Sequence, residues 1–359
     1  MTALESALHA AMAATLAADD TLPGAALAID SPRLGIAFEG GIDGPLARAD
    51  GCPPAKRPFR IASVTKPFTA VAIHGLVADG RLAIVDPIGP HIAPATAEAL
   101  AGGGYDPQAI TIGHLLTHTS GIFDHTETPT YIPAALDEPT RRWTRREQVA
   151  LAMVEGRPHG APGQYYRYSD TGYIILGEIV ERARGTALAV AVREACGFAR
   201  LGMKATWWEG AEPPPANASL PAWQYAGALR ASDVDASFDG YGGGGLISTV
   251  GDLARFIRAL IAGQVLDSTL LAGALATPPH AHTADAPPDG RTHSHILATT
   301  IAGRHWALGH TGAWGCAMLY VPGHDAALAI TLNREGPATM TALRSLIAHV
   351  TSLLDDHAA

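Results

Sequence analysis

The sequence predicts an α+β fold in which strands from both ends of the chain form one antiparallel sheet. Near the N-terminus, short apolar runs at 25–29 and 34–38 flank the turn 30–33, a spacing typical of a β-hairpin. Near the other end, residues 306–333 contain three apolar runs separated by turns. Helical patterns occupy most of the chain between these regions, so strands and helices do not alternate as they would in a parallel sheet.

The helices are predicted from apolar residues that recur at helical spacing. The first helix carries Leu4, Leu8, Met12 and Leu16 on one face. Further helices are predicted over 63–79, 111–118, 173–183, 252–262 and 337–354. A brief strand is predicted at 59–62, and loops are predicted at 40–58 and 277–295, where glycine, proline and polar residues are frequent.

The composition limits the classes of protein to which this chain can belong. Of its 359 residues, 47% are hydrophobic and 16% are charged, a balance that excludes intrinsic disorder. The net charge of −9 argues against nucleic acid as a partner, because phosphate binding needs a basic surface. No run of about 20 residues is apolar throughout, so no membrane span is predicted. Cys52, Cys196 and Cys316 are widely spaced and are predicted to be free thiols.

The N-terminus gives an expectation about the cellular compartment. A secretory signal begins with basic residues before an apolar run, but here Glu5 occupies that region and no lysine or arginine precedes Arg33. We therefore expect a cytoplasmic protein, although a leader removed beforehand would leave the same sequence. The sequence contains no pattern that indicates an oligomeric state.

The first candidate for chemistry is the pair Ser63 and Lys66. Residues three apart share one face of a helix, and Ser63 would lie at the helix N-terminus, where negative charge is stabilised. A serine becomes a nucleophile when a base accepts its proton, and a partly buried lysine can serve as that base. With 13 serines and three lysines in the chain, about 0.1 such pairs are expected by chance.

Two further segments could complete a nucleophilic site. Tyr168 lies in a loop that leads into a predicted helix, and a cationic neighbour such as Lys66 would let its phenol accept a proton. His310 and Gly312 lie on a predicted strand beside a glycine-rich turn, where a substrate can approach the backbone. The N–H of Ala313 could then join that of Ser63 in an oxyanion hole.

Taken together and in this order, S-x-x-K, Y-S-x and H-T-G resemble the motifs of the serine β-lactamases and penicillin-binding proteins. The tyrosine in the second motif is similar to that of the class C β-lactamases, the D-Ala-D-Ala carboxypeptidases and the family VIII esterases. Similar blocks extend from about residue 4 to 355. They include FRIASVTKPFTA at 59–70, TIGHLLTHTSG at 111–121, YSDTGYIILGE at 168–178, GGLISTVGD at 244–252 and HTGAWG at 310–315.

The resemblance implies a fold and a role for each matching residue. It implies that 1–80 and 240–359 form the subdomain with the sheet, that 81–239 form an inserted, mainly helical subdomain, and that the active site lies between them. Ser63 would be acylated, Lys66 and Tyr168 would share the proton transfers, and the N–H groups of Ser63 and Ala313 would hold the oxyanion. The implied substrate-binding residues are Asp170, His310, Gly312 and Trp314.

Two of these positions depart from the commoner pattern of the family. Asp170 replaces an asparagine, and an ionised carboxylate only accepts hydrogen bonds, which disfavours β-lactam binding through an acyl amide. Asp170 could instead pair with Lys66 or accept a hydrogen bond from a substrate amine, as in a D-amino-acyl ester or amide. His310 replaces a lysine and would be a weaker anchor for a substrate carboxylate while it is neutral.

The sequence predicts neither a metal site nor a phosphate site. His114 and His118 lie one helical turn apart, but the glutamate of an HExxH zinc motif is missing. The four histidines of the loop could bind a metal, although a loop without such a role is favoured: His280, His282, His293 and His295. Gly242–Gly245 is not followed by the GK[ST] of a phosphate-binding loop. We therefore predict neither a metal nor a cofactor.

The favoured hypothesis is a serine hydrolase that acts on a small ester or amide through an acyl-Ser63 intermediate, with acyl transfer left open. The alternatives are a D-Ala-D-Ala carboxypeptidase or β-lactamase, and, from another class, a catalytically silent ligand-binding homologue. Substrate specificity is expected from 123–163, 205–241 and 277–305. The candidates for an apolar rim around the site are Trp143, Trp207, Trp223 and Trp314.

Overall fold

The computed structural model describes residues 1–276 and 292–359, and its main element is an antiparallel sheet. The strands, in chain order, are β1 (Gly24–Ser31), β2 (Ile36–Asp43), β3 (Phe59–Arg60), β4 (Trp207–Trp208), β5 (Tyr225–Ala226), β6 (Leu229–Arg230), β7 (Leu246–Ser248), β8 (Thr292–His293), β9 (Ala298–Ala302), β10 (His305–Gly312), β11 (Cys316–Val321) and β12 (Ala326–Thr331). Seven of these described strands form the main sheet, in the order β2-β1-β12-β11-β10-β9-β8.

The two ends of the chain meet inside this sheet. Strand β1 pairs with β2 on one side and with β12 on the other, and Ala28 lies opposite Ala329. All the neighbouring strands of the sheet are antiparallel. The predicted α+β fold, with one sheet built from both chain ends, is therefore confirmed.

Helices cover both faces of the sheet and fill the middle of the chain. They are α1 (Ala3–Ala18), α2 (Lys66–Ala78), α3 (Pro94–Gly102), α4 (Ile112–Leu116), α5 (Tyr131–Asp137), α6 (Arg145–Glu155), α7 (Asp170–Arg184), α8 (Leu188–Ala195), α9 (Phe198–Leu201), α10 (Val250–Ile261), α11 (Ser268–Leu275) and α12 (Pro337–Ala358). The predicted first helix is confirmed, and its start is fixed by a capping box in which Thr2 and Glu5 exchange hydrogen bonds.

The sheet separates two apolar cores. Successive residues of a strand point to opposite faces, and β1 follows this rule with apolar side chains on both. Its Leu27 lies in a core shared with α1 and α12, whereas Ala28 lies in a larger core that includes residues of α2, α7 and α10. The second core extends from the sheet to the turn that precedes α2, and thus supports the residues discussed below.

Two predicted loops are shorter than expected. Strand β2 continues to Asp43, so the loop that was predicted to begin at residue 40 begins after residue 43. Gly40 and Gly41 lack side chains, so this part of the strand shows no alternating pattern in the sequence. A Cβ on Gly41 would lie 2.7 Å from the carbonyl oxygen of Ala25. Thr292–His293 form the edge strand β8 instead of the end of a loop. The rest of the predicted loop, 277–291, lies outside the described residues.

Within residues 1–276 and 292–359, no helix combines the length and the apolar character needed to cross a membrane. The longest of the described helices, α12, has 22 residues and packs against the sheet with one apolar face.

Candidate active site

Ser63 lies on a tight turn between β3 and α2. Residues Ala62–Thr65 form a turn of 3₁₀ helix that continues directly into α2, so the predicted helix 63–79 begins with a different geometry. Ala62 has a φ of 45°, in the left-handed region that residues with a side chain rarely adopt. Such backbone strain is typical of functional sites and persists only where the surrounding packing enforces it. Ala62 is buried, whereas Ser63 remains partly exposed.

Ser63 is hydrogen-bonded by two groups that are separated by about a hundred residues in the chain. The Nζ of Lys66 donates to Ser63 Oγ at 2.8 Å, and the hydroxyl of Tyr168 donates to the same atom at 2.9 Å. The structure therefore brings together the three residues that the sequence predicted as catalytic. A nucleophile in contact with two proton-transfer groups is the arrangement that acyl transfer requires.

Lys66 is completely buried and its ammonium group is surrounded by acceptors. It donates to the carbonyl oxygen of Gly243 at 2.8 Å and forms an ion pair with Asp170. Its Nζ also lies 5.0 Å from the ring centre of Tyr168 and 5.5 Å from that of Tyr173. Of the two roles considered for Asp170, the structure thus contains the pairing with Lys66.

Tyr168 is followed by Ser169, and Ser169 caps the first turn of α7. The Ser169 hydroxyl oxygen accepts a hydrogen bond from the N–H of Gly172. Burial and the negative charge of Asp170 raise the pKa of the Tyr168 phenol well above its usual range. The phenol is therefore neutral near pH 7 and acts as a hydrogen-bond donor to Ser63 in the resting site.

Two further carboxyl groups lie around Asp170, and the sequence analysis did not identify either. Asp124 accepts the N–H of Asp170 at 2.9 Å and is buried. Burial and the charge of Asp170 raise the pKa of Asp124 to about 7, and they raise the pKa of Asp239 to about 7 as well. Neither residue shares a motif with Ser63, so no sequence signal linked them to the site.

The end of strand β10 packs against the turn that carries Ser63. A Cβ on Gly312 would lie 2.7 Å from Cys316 Sγ and still closer to the carbonyl oxygen of Ile61. Only glycine allows this approach, which brings the backbone after β10 towards the turn at 62–65. The oxyanion hole formed by the N–H groups of Ser63 and Ala313 remains a prediction that this packing favours.

Three of the tryptophans proposed as a rim are buried. Trp143 and Trp207 are 1% and 3% exposed, so the rim hypothesis is wrong for them. Trp314 is 6% exposed and packs against Ala62 and Ala231, behind the turn of Ser63. Trp223 is only partly buried, and its ring lies 5.4 Å from the guanidinium carbon of Arg48.

Several histidine rings pack around the ring of Tyr168. His118 stacks on the Tyr168 ring at 4.3 Å between centroids, and its Nδ1 accepts the N–H of Ser169 at 3.1 Å. The His293 ring meets His118 edge-on at 4.8 Å and lies 5.6 Å from His310. Burial, the neighbouring His293 and the charge of Lys66 lower the pKa of His118 well below its usual range, so this ring is neutral.

The zinc alternative for His114 and His118 does not agree with these contacts. The Nδ1 atoms of both rings accept backbone N–H groups, that of Thr111 in the case of His114. The sequence places His293 in a loop, with metal binding as the less favoured role, and no spacing in the sequence links residue 293 to residue 168. His280 and His282, the other half of that proposed set, lie outside the described residues.

The chain belongs to the beta-lactamase family, whose family model matches residues 11–352. Among its relatives, the esterase EstB of Burkholderia gladioli is 37% identical over 172 residues, which are 43% of this chain and 39% of the relative. A penicillin-binding protein of Bacillus subtilis is 29% identical over 215 residues, which are 56% of this chain and 44% of the relative. The alignments thus span less than half the length of these two relatives.

Solved structures of similar proteins cover the chain more completely. A D-stereospecific amidohydrolase from a Streptomyces species has a TM-score of 0.78 at 25% identity, covering 94% of this chain and 97% of that one. The D-amino acid amidase of Ochrobactrum anthropi SV3 has a TM-score of 0.81 at 24% identity and covers 100% of both chains. The latter similarity concerns the fold, which agrees with the resemblance drawn from the motifs.

Proposed function

We propose that this protein is a serine hydrolase that cleaves a small ester or amide through an acyl-Ser63 intermediate. The observation that carries the proposal is the double contact of Ser63 Oγ with Lys66 Nζ and the Tyr168 hydroxyl. Ser63 is partly exposed, so a substrate carbonyl can reach it. The family relationship and the esterase among the relatives support the same class of reaction.

The proposed reaction has two steps. In the first, Lys66 passes one proton to Asp170 across their ion pair, and the neutral amine then accepts the proton of Ser63 Oγ as that oxygen attacks the carbonyl carbon. The carbonyl oxygen takes the electron pair and is held by the N–H groups of Ser63 and Ala313. The tetrahedral intermediate then expels the alcohol or amine, which receives a proton from Tyr168.

In the second step, water attacks the acyl carbon. One water proton passes to Tyr168, which lost one to the leaving group, and Ser63 departs as it recovers its own proton from Lys66. Lys66 then takes back the proton held by Asp170, which restores the ion pair. The net reaction consumes one water and releases an acid and an alcohol or amine. An acceptor that displaces this water would turn hydrolysis into acyl transfer.

The site is proposed to lie between the two subdomains outlined in the sequence analysis. Ser63 and Lys66 belong to the region 1–80, and Gly243 and Gly312 belong to 240–359. Tyr168 and its neighbours belong to the helical region 81–239. The contacts of Ser63 with both groups of residues support this arrangement.

Burst kinetics with a short-chain p-nitrophenyl ester test the proposal. We expect a burst of p-nitrophenol close to one per chain, and a loss of turnover of at least about 10³-fold in Ser63→Ala. Ser345→Ala, an exposed serine on α12, is the matched control and should retain wild-type turnover. Equal turnover in Ser63→Ala and the wild type contradicts the proposal, and a wild type that no serine-directed reagent acylates favours the silent ligand-binding homologue.

Three carboxyl groups around one buried ammonium favour a second candidate, namely substrates that carry a free amine. Asp170 contacts Lys66, and Asp124 contacts Asp170. Burial and the charge of Asp170 raise the pKa of Asp239, so the site has more acidic than basic groups. The D-stereospecific amidohydrolase among the similar structures supports an amide as the bond that is cleaved. We expect amino-acid p-nitroanilides to have a higher kcat/KM than their N-acetylated forms, and the reverse order would exclude this candidate.

β-Lactams are the remaining alternative. The pairing of Asp170 with Lys66 and the presence of His310 instead of lysine do not favour them. Nitrocefin turnover in the same assay is expected to be at least tenfold slower than turnover of the preferred ester. Faster nitrocefin turnover would replace the esterase hypothesis with a β-lactamase.

A further inference from the structure

A second cluster of titratable side chains lies far from Ser63. His305 begins strand β10, His324 ends the short turn Pro322–His324 after β11, and Asp355 lies in the final turns of α12. His305 and Gly312 occupy opposite ends of β10, which places this cluster roughly 20 Å from the candidate active site. The proposed hydrolysis makes no use of these three residues.

The three ligand atoms converge on a small volume. Asp355 Oδ1 lies 2.8 Å from His305 Nε2 and 3.0 Å from His324 Nε2, and all three atoms lie within 4.8 Å of one another. A tetrahedral ion with bonds of about 2.1 Å holds its ligand atoms about 3.4 Å apart. The two histidine–carboxylate distances therefore need to open by only about 0.5 Å to admit such an ion.

The residues around the cluster hold these three side chains in positions where they can bind an ion. The second oxygen of the Asp355 carboxylate forms an ion pair with Arg304, whose Nε lies 2.8 Å away, and Oδ1 is left for the histidines. His324 is buried, so its ring is held in place beside the Asp355 carboxylate. His305 is only partly buried, so water can complete the coordination.

We propose that His305, His324 and Asp355 form a binding site for a divalent transition-metal ion of the Zn²⁺ class. Two imidazole nitrogens and one carboxylate oxygen are borderline ligands that suit this class better than Ca²⁺ or Mg²⁺. Because the ligands come from β10, the turn after β11 and α12, a bound ion would fasten the last helix to the sheet. The expected role is structural, since the site lies at the opposite end of β10 from Gly312.

No metal site is predicted from the sequence, because the three residues of this cluster are far apart in the chain. The three residues are spread over 50 positions and share no short motif. Only the packing of α12 against the sheet brings Asp355 to the two histidines.

Calorimetric titration of EDTA-treated, full-length protein with ZnCl₂ tests the site. We expect the wild type to bind one Zn²⁺ here and to gain several degrees in Tm with the ion. His305→Asn and Asp355→Asn should each lower this affinity at least tenfold, whereas His349→Asn, an exposed histidine on the same helix, should leave it unchanged. Circular dichroism of the variants without metal checks that they are folded.

Two results would overturn the proposal. One is a wild type that binds no Zn²⁺ below about 10⁻⁴ M, in which case the cluster is only a hydrogen-bonded contact between α12 and the sheet. The other is Zn²⁺ binding that His305→Asn and Asp355→Asn retain at wild-type affinity. Titration with Co²⁺ gives an independent readout, because ligation by the histidines changes the visible spectrum of the ion and each variant should weaken that change.

Discussion

The ring of His118 lies flat against the ring of Tyr168, with 4.3 Å between their centres and an angle of 24° between their planes. The same histidine accepts the N–H of Ser169, the residue that caps α7. His118 has a φ of 56°, so the backbone is strained where the ring is held. We infer that His118 is a positioning residue that fixes the direction of the Tyr168 hydroxyl towards Ser63.

Changing His118 should lower turnover without removing a reacting group. Asparagine tolerates the left-handed backbone and can accept the Ser169 N–H, but it has no ring to support Tyr168. We expect His118→Asn to reduce kcat about 10- to 100-fold with little change in KM. Steady-state kinetics check this, and a variant whose kcat stays at the wild-type value would show that the stacked ring does not position Tyr168.

Removing the Tyr168 hydroxyl should have a larger effect. Tyr168→Phe keeps the ring on His118 but removes the donor that lies 2.9 Å from Ser63 Oγ. We expect kcat to fall about 10²- to 10⁴-fold, because general acid–base catalysis contributes that much. Tyr165→Phe removes an exposed phenol of the same segment and serves as the control. If both variants were equally active, Tyr168 would have no role in proton transfer.

Adding one methyl group to Gly312 should separate β10 from the turn of Ser63. The new Cβ would lie 2.7 Å from Cys316 Sγ and nearer to the Ile61 carbonyl oxygen, so the backbone must move. We expect Gly312→Ala to lower kcat/KM at least tenfold and to destabilise the fold by about 1–3 kcal/mol. Gly273→Ala, in α11 with no atom near its Cβ, should be neutral or slightly stabilising in the same thermal and kinetic assays.

The partly buried Asp239 should make stability depend on pH. Its pKa is raised from 3.8 to about 7 in the folded chain, so the folded state keeps a proton that the unfolded state releases in this range. The contribution of this group to stability is therefore complete below pH 3.8 and is lost as the pH rises towards 7.

Asp239→Asn removes this titration. Between pH 5 and pH 8, chosen to bracket most of the change, we expect the variant to lose about 1–3 kcal/mol less unfolding free energy than the wild type. Denaturant unfolding at the two pH values measures the difference. Asp356→Asn, an exposed residue of α12, should follow the wild type. Identical pH dependence in Asp239→Asn and the wild type would mean that Asp239 does not titrate there.

The sequence predicted the sheet because its strands carry apolar residues on both faces, as β1 and β12 show. It predicted Ser63, Lys66 and Tyr168 because each belongs to a short motif with a chemical reason for its spacing. The second half of β2 was not predicted, because Gly40 and Gly41 replace the alternating side chains that mark a strand. Asp124, His118 and His293 act through contacts between distant segments, which local patterns do not encode.

The same limit explains the errors over the tryptophans. An aromatic residue in a polar segment was expected at a rim, but Trp143 packs against Tyr131 at 4.6 Å and is buried with it. Burial of such a ring depends on the neighbours that the fold supplies, and here those neighbours come from separate helices and loops.

The most direct test of the central claim is the mass of the enzyme trapped during turnover. Wild type quenched with acid in the presence of a p-nitrophenyl ester should gain the mass of one acyl group, and peptide mapping should locate it on Ser63. Ser63→Ala should show no such gain. An acyl group on another residue, or turnover by the wild type without any acylated chain under conditions where a burst is observed, would contradict the account.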